Sequence, residues 1–193
     1  MRSSTVSSTY FNGPSLTIVA TNCQLAGKTT KLRGCLEQAC RALGHMSAND
    51  NNSVRSGAAF GIETLVAVLQ NHPDGPFELL RAACMALRNV TCNNKDNKAK
   101  CGAASVIKVM ATLLQKHLDG PVEFLDQACA AVCNITFDND DNAAECGVAG
   151  LAEALKAVIQ RHQHDDEDDG PAADAAALLG HARLALDIIK HVD

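Results

Sequence analysis

Several short strings in this chain have the residue types and spacing to do chemistry. Ala26-Gly27-Lys28-Thr29 follows the strand-like Leu16-Thr17-Ile18-Val19-Ala20 and ends like a phosphate-binding loop, whose Lys and Thr would meet phosphate and Mg²⁺. That loop also needs a glycine five residues before Gly27, and Asn22 stands there. Asp138-Asn139-Asp140-Asp141-Asn142 offers the closely spaced oxygens of a calcium loop. Its sixth position is Ala143, where the sharp turn needs Gly, and its twelfth is Ala149, where a bidentate Glu belongs. A solvated turn is expected instead. Asn89-Val90-Thr91 and Asn134-Ile135-Thr136 have the form of glycosylation acceptors, and they recur because the surrounding sequence recurs. His162 and His164 beside the acidic run 165–169 could hold a metal weakly, but a solvated loop is the expected state. No nucleophile–base pair, metal triad or paired carboxylates emerges. The expectation is a protein that is not an enzyme and carries no cofactor and no metal.

The elements that must position these side chains follow from their register. Asn52, Asn97 and Asn142 stand 45 residues apart, as do Gly57, Gly102 and Gly147, and His72, His117 and His162. Cys40, Cys84 and Cys129 keep the step to within one residue, inside Ala39-Cys40-Arg41-Ala42-Leu43, Ala83-Cys84-Met85-Ala86-Leu87 and Ala128-Cys129-Ala130-Ala131-Val132. A period in the forties with apolar residues at helical spacing predicts stacked helical repeats, each burying its apolar face against its neighbours. Asp74-Gly75-Pro76, Asp119-Gly120-Pro121 and Asp169-Gly170-Pro171 punctuate the units. Gly tolerates the left-handed conformation after a helix, and Pro suits the first helical turn. Leu80, Ala83, Cys84 and Leu87, then Leu125, Ala128, Cys129 and Val132, follow the i, i+3, i+4, i+7 pattern of one helix face. A polar stretch then breaks each helix, at 93–97 and 138–142. A short segment with Gly102 or Gly147 follows, and a longer helix over about 105–117 or 151–162 closes the unit.

That repeat geometry disposes of the metal and disulfide readings. Equivalent positions lie one helix step apart, on the order of 10 Å, whereas a disulfide needs Cα atoms within roughly 7 Å and metal ligands sit near 2 Å. The cysteines are therefore expected to be small buried thiols in a reducing compartment. The histidines close equivalent helices, where a cation interacts well with the helix dipole. The net charge of −5 equals the acidic run Asp165, Asp166, Glu167, Asp168 and Asp169, because 17 basic residues then face 22 − 5 = 17 acidic ones. Without a basic excess no nucleic-acid partner is expected. No apolar stretch reaches the roughly 18 residues of a membrane span, and no secretory leader pattern is present, so no membrane partner is expected. The expectation is a cytoplasmic protein, with the nucleus as a second compartment.

With its order of long, short and long helices, the unit resembles the armadillo repeat. Armadillo units carry a final helix with an Ala-Leu-x-Asn-Leu pattern, a polar turn containing Asn, and a Gly-Ala before the next unit. Here the strings are Ala86-Leu87-Arg88-Asn89-Val90 and Ala131-Val132-Cys133-Asn134-Ile135, followed by Gly102-Ala103 and Gly147-Val148. The resemblance covers about residues 32–192. It implies an all-α, right-handed α-solenoid with a period of about 45 residues. Residues 1–14 are expected to be a disordered terminus, and 15–193 a repeat domain. That domain divides into a partial unit over about 32–75, full units over 76–120 and 121–170, and a terminal partial unit over 171–193. The step from Pro76 to Pro121 is 45 residues and from Pro121 to Pro171 is 50, and the five extra residues, which fall within 163–168, are expected to form a mobile surface loop.

In armadillo proteins the final helix of each unit lines a concave groove, and its Asn bonds the backbone of an extended peptide. The resemblance thus implies a groove centred on Asn89 and Asn134. An Asn amide can both donate to a peptide carbonyl and accept from a peptide N–H. On the same stripe, four and eight residues earlier, lie Met85 and Arg81 in one unit, and Ala130 and Asp126 in the next. Arg41 and His45 extend the stripe into the first unit. The alternative for the asparagines is that they bond neighbouring backbone and hold the stack together. The expected function is a non-catalytic scaffold or adaptor for a protein or peptide partner. Nuclear-signal receptors of this family also use a groove Trp, and the chain has none. Two rival functions remain: a structural segment that self-associates through uncapped end helices, and a regulator of a small GTPase.

Overall fold

The structure of the chain, a computed structural model, describes residues 30–48, 57, 61–163 and 172–191. The described residues are all-helical, with no strand among them. The helices are α1 (Thr30–Ser47), α2 (Gly61–Asn71), α3 (Phe77–Thr91), α4 (Lys95–Ala103), α5 (Val106–Lys116), α6 (Val122–Thr136), α7 (Asp140–Val148), α8 (Leu151–His162) and α9 (Ala172–Lys190). None of these helices is long and apolar enough to cross a membrane. The terminus 1–14, the string 26–29 and positions 164–168 of the acidic insertion lie outside the described residues.

Local chemistry sets the helix ends. The carbonyl of Pro76 accepts the amides of Leu79 and Leu80 at 2.9 and 3.2 Å, and that of Pro121 accepts Phe124 and Leu125 at 3.0 and 3.1 Å. Each proline thus stands at the cap itself, one position before the first helical residue. The preceding glycines differ from expectation, since neither Gly75 nor Gly120 is left-handed. They are needed because a Cβ there would come within 3.0 Å of the His72 carbonyl oxygen and 2.9 Å of that of His117. Among the described residues the left-handed positions are Asn93 and Asp138, and Ser105 and Gly150, again 45 residues apart. Asn and Asp are the side chains that tolerate this conformation best after Gly. The polar stretches also start the short helices. The Asn94 side chain accepts the Asn97 amide at 3.0 Å, and Asn139 accepts that of Asn142 at 2.9 Å, which are N-caps. Asp140–Asn142 is accordingly the first turn of α7, and no cluster of three metal-ligating side chains occurs among the described residues.

The helices pack in rows. Helices α1, α3, α6 and α9 contact one another in that order, α2, α5 and α8 form a second row, and α4 lies against α7. Between them runs one core, which includes Leu80, Ala83, Cys84, Leu87, Leu125, Ala128, Cys129 and Val132. Each fully buried leucine contributes about 1.5–3 kcal/mol of apolar transfer free energy. Six of the eight described cysteines are buried in this region and all eight are free, whereas Cys35 and Cys92 are exposed. Burial pushes the thiols of Cys84, Cys101, Cys133 and Cys146 up to about 12, and that of Cys129 well above its ordinary value.

Several residues that stand 45 apart in the sequence make corresponding contacts between helices. The buried Asn142 side chain donates to Lys98 O at 2.8 Å and to Ile135 O at 3.0 Å. Its oxygen lies 2.4 Å from where a Cβ of Gly102 would stand. Asn97 donates to Val90 O at 2.7 Å and crowds Gly57 in the same way. His117 and His162 bridge back through Nε2 to Pro73 O (2.7 Å) and Leu118 O (2.9 Å). A charged-histidine role at the helix end fails for His72. It is 6 % exposed, and burial, with Arg33 adding to the effect, lowers its pKa. A buried imidazole avoids the desolvation cost of the cation.

Candidate functional site

The row α1–α3–α6–α9 brings most of the expected groove residues onto one face. On α3, Arg81, Met85 and Asn89 lie at four-residue steps, each half-buried, because a helix returns to the same side about every 3.6 residues. Arg41 and His45 are exposed on α1, and Asp126 and Asn134 are half-buried on α6. Ala130 is the exception. It is only 3 % exposed, so it offers almost no surface to a partner. Helix α6 is flanked by both α3 and α9, and a single methyl group is too short to rise above its neighbours.

The asparagines are committed to the stack, although not completely. Asn89 Nδ2 donates to Gly44 O at 3.0 Å, and Asn134 Nδ2 donates to Arg88 O at 2.9 Å. Both acceptors immediately precede the equivalent position, His45 or Asn89, of the neighbouring helix. Each side chain therefore ties its helix to the one before it. An amide has two N–H donors and a carbonyl oxygen, so one donor and the acceptor remain at each position. Gly44 supports this contact, since a Cβ there would stand 3.2 Å from Ala86 Cα and 3.0 Å from the Met85 methyl. The recurring threonines of the Asn-x-Thr strings serve packing too. Thr91 and Thr136 are buried and donate to Leu87 O (2.7 Å) and Val132 O (2.9 Å).

Sequence reasoning missed a polar chain that crosses this face. Arg88 Nη1 donates to Gln127 Oε1 at 3.0 Å, and Gln127 Nε2 donates to Asp126 Oδ2 at 3.0 Å. The other oxygen of Asp126 meets His181 Nδ1 at 2.7 Å. The Cys133 thiol donates to the His181 carbonyl at 3.0 Å. Three helices, α3, α6 and α9, are thereby linked through side chains that do not recur from unit to unit. Asp126 is therefore already engaged, while Arg81 has no hydrogen bond or ion pair among the described residues. Arg41 approaches only Glu37, one turn earlier, at 3.6 Å. No family model matches this chain, and no curated protein matches it.

Proposed function

We propose that the chain is a right-handed α-solenoid of armadillo type, and that it acts as a non-catalytic protein-binding module. The α1–α3–α6–α9 face would receive an extended peptide or a partner surface. The observation that carries this reading is the line of half-buried Arg81, Met85 and Asn89 on α3, between exposed Arg41 and His45 and half-buried Asn134. Neighbouring helices stand 8–10 Å apart, about three residues of extended chain. A peptide crossing the row would meet the remaining donor and acceptor of Asn89 and then those of Asn134. Met85 supplies an adaptable apolar contact between them.

The test is selection of random nine-residue peptides on the immobilised protein, followed by affinity measurement. Truncating the face with His45→Ala/Met85→Ala should weaken the selected peptides at least tenfold and leave the melting temperature within a few degrees. Peptides that bind the double variant as tightly would exclude this face. Failure to enrich any peptide, together with a concentration-dependent mass, would favour the structural reading of self-association through the end helices.

A further inference from the structure

Most described arginines lie on the α1–α3–α6–α9 row and most described lysines on the other helices, the exceptions being Lys31 on α1, Lys190 on α9 and Arg161 on α8. Lys95, Lys98, Lys100, Lys108, Lys116 and Lys156 lie on α4, α5 and α8, and each is already engaged within the chain. Lys95, Lys108, Lys116 and Lys156 pair with Asp138, Glu145, Asp74 and Glu153. Lys98 and Lys100 donate to the carbonyls of Phe137 and Gly57. The arginines Arg33, Arg41, Arg81, Arg88 and Arg183 all lie on the α1–α3–α6–α9 row. On the stripe itself the acidic groups are engaged: Glu37 faces Arg41, and Asp126 is held by His181 and Gln127. Half-buried Arg81 stands between these two helices with no acceptor among the described residues.

From this we infer that the occupant of the face is an extended peptide carrying an acidic side chain, whose carboxylate docks on Arg81. This rests on the peptide-binding reading above and adds the chemistry of the ligand. A guanidinium presents its N–H groups as a planar fork that matches a carboxylate's two oxygens. Arg41 can add a second contact, because an exposed pair one helical turn apart holds it only weakly.

The experiment compares peptide pools selected on the wild type and on Arg81→Gln, with Lys108→Gln as the control on another row. The expected result is Asp or Glu enriched at one position of the wild-type and Lys108→Gln pools and absent from the Arg81→Gln pool. Changing that acidic residue to its amide should cost about tenfold in affinity for the wild type and nothing for Arg81→Gln. Selected peptides that depend on Met85 but show no acidic enrichment would overturn this inference and leave the peptide-binding reading standing. An absence of any enriched peptide would sink both. A single-stranded oligonucleotide of five phosphates, bound as tightly as the acidic peptide and lost in Arg81→Gln, would also overturn the inference, since Arg81 would then be a general anion site.

Discussion

Two glycines in the same register should respond to alanine with opposite signs. Gly102 and Gly147 both lie near the ends of short helices, α4 and α7. A Cβ on Gly102 would come 2.4 Å from Asn142 Oδ1, whereas one on Gly147 would meet nothing within 4 Å. Gly102→Ala therefore forces the Asn142 side chain off its two acceptors, Lys98 O and Ile135 O. Each buried carbonyl left without a partner costs about 1–3 kcal/mol. The gain in helix propensity returns about 0.5–1 kcal/mol near a helix end. The net loss is about 1–5 kcal/mol, or about 3–15 °C in melting temperature for a chain of this size. Gly147→Ala gains only the propensity and should melt about 1–3 °C higher. Thermal unfolding followed by circular dichroism reads both. A cycle with Asn142→Ala isolates the cause, because in that background Gly102→Ala should become neutral or stabilising. Gly102→Ala melting at or above wild type, or Gly147→Ala melting below it, would refute the joint.

Two further outcomes follow from buried titrating groups. A thiol at about 12 is ionised to roughly one part in 10⁴ at pH 8, against about a quarter for an ordinary thiol. Cys84, Cys101, Cys133 and Cys146 should react with a disulfide reagent only after unfolding, whereas Cys35 and Cys92, being exposed, are within its reach in the native state. Cys35→Ser/Cys92→Ser should remove two equivalents from the native-state reaction, and an unchanged native-state reaction would contradict the burial pattern. For His72 the folded pKa lies below the ordinary 6.5. The unfolded chain then binds more protons in the window just below 6.5, so stability is fully present above 6.5 and declines as pH falls through it. The difference in urea midpoint between wild type and His72→Gln should shrink from pH 7.5 to pH 5.5. A difference that grew on acidification would mean His72 is held as a cation.

What the sequence made legible was whatever the repeat enforces. Asn97 and Asn142, Gly57 and Gly102, and His117 and His162 recur because each makes the same contact at a successive joint, and a contact made again at the same step leaves a period. The period could not say which atoms meet. Asn142 packs on Gly102, an offset of 40 residues, and that offset is visible only once the short helices are known to lie side by side. Gly75 was legible as a necessary glycine for the wrong reason: close approach to a carbonyl and a left-handed turn select the same residue. Asn89 and Asn134 were found by pattern, yet a pattern cannot distinguish an amide that faces a partner from one that faces its own stack, and here each donates to the neighbouring helix. The chain Arg88–Gln127–Asp126–His181 left no sequence signal, since its members are 39, 1 and 55 residues apart and none recurs. Non-recurring polar side chains on a recurring scaffold are where one array can differ from another in what it binds. On the binding proposed above, specificity would lie at Arg81 and its engaged neighbours, and Asn89 and Asn134 would hold a partner's backbone whatever its sequence.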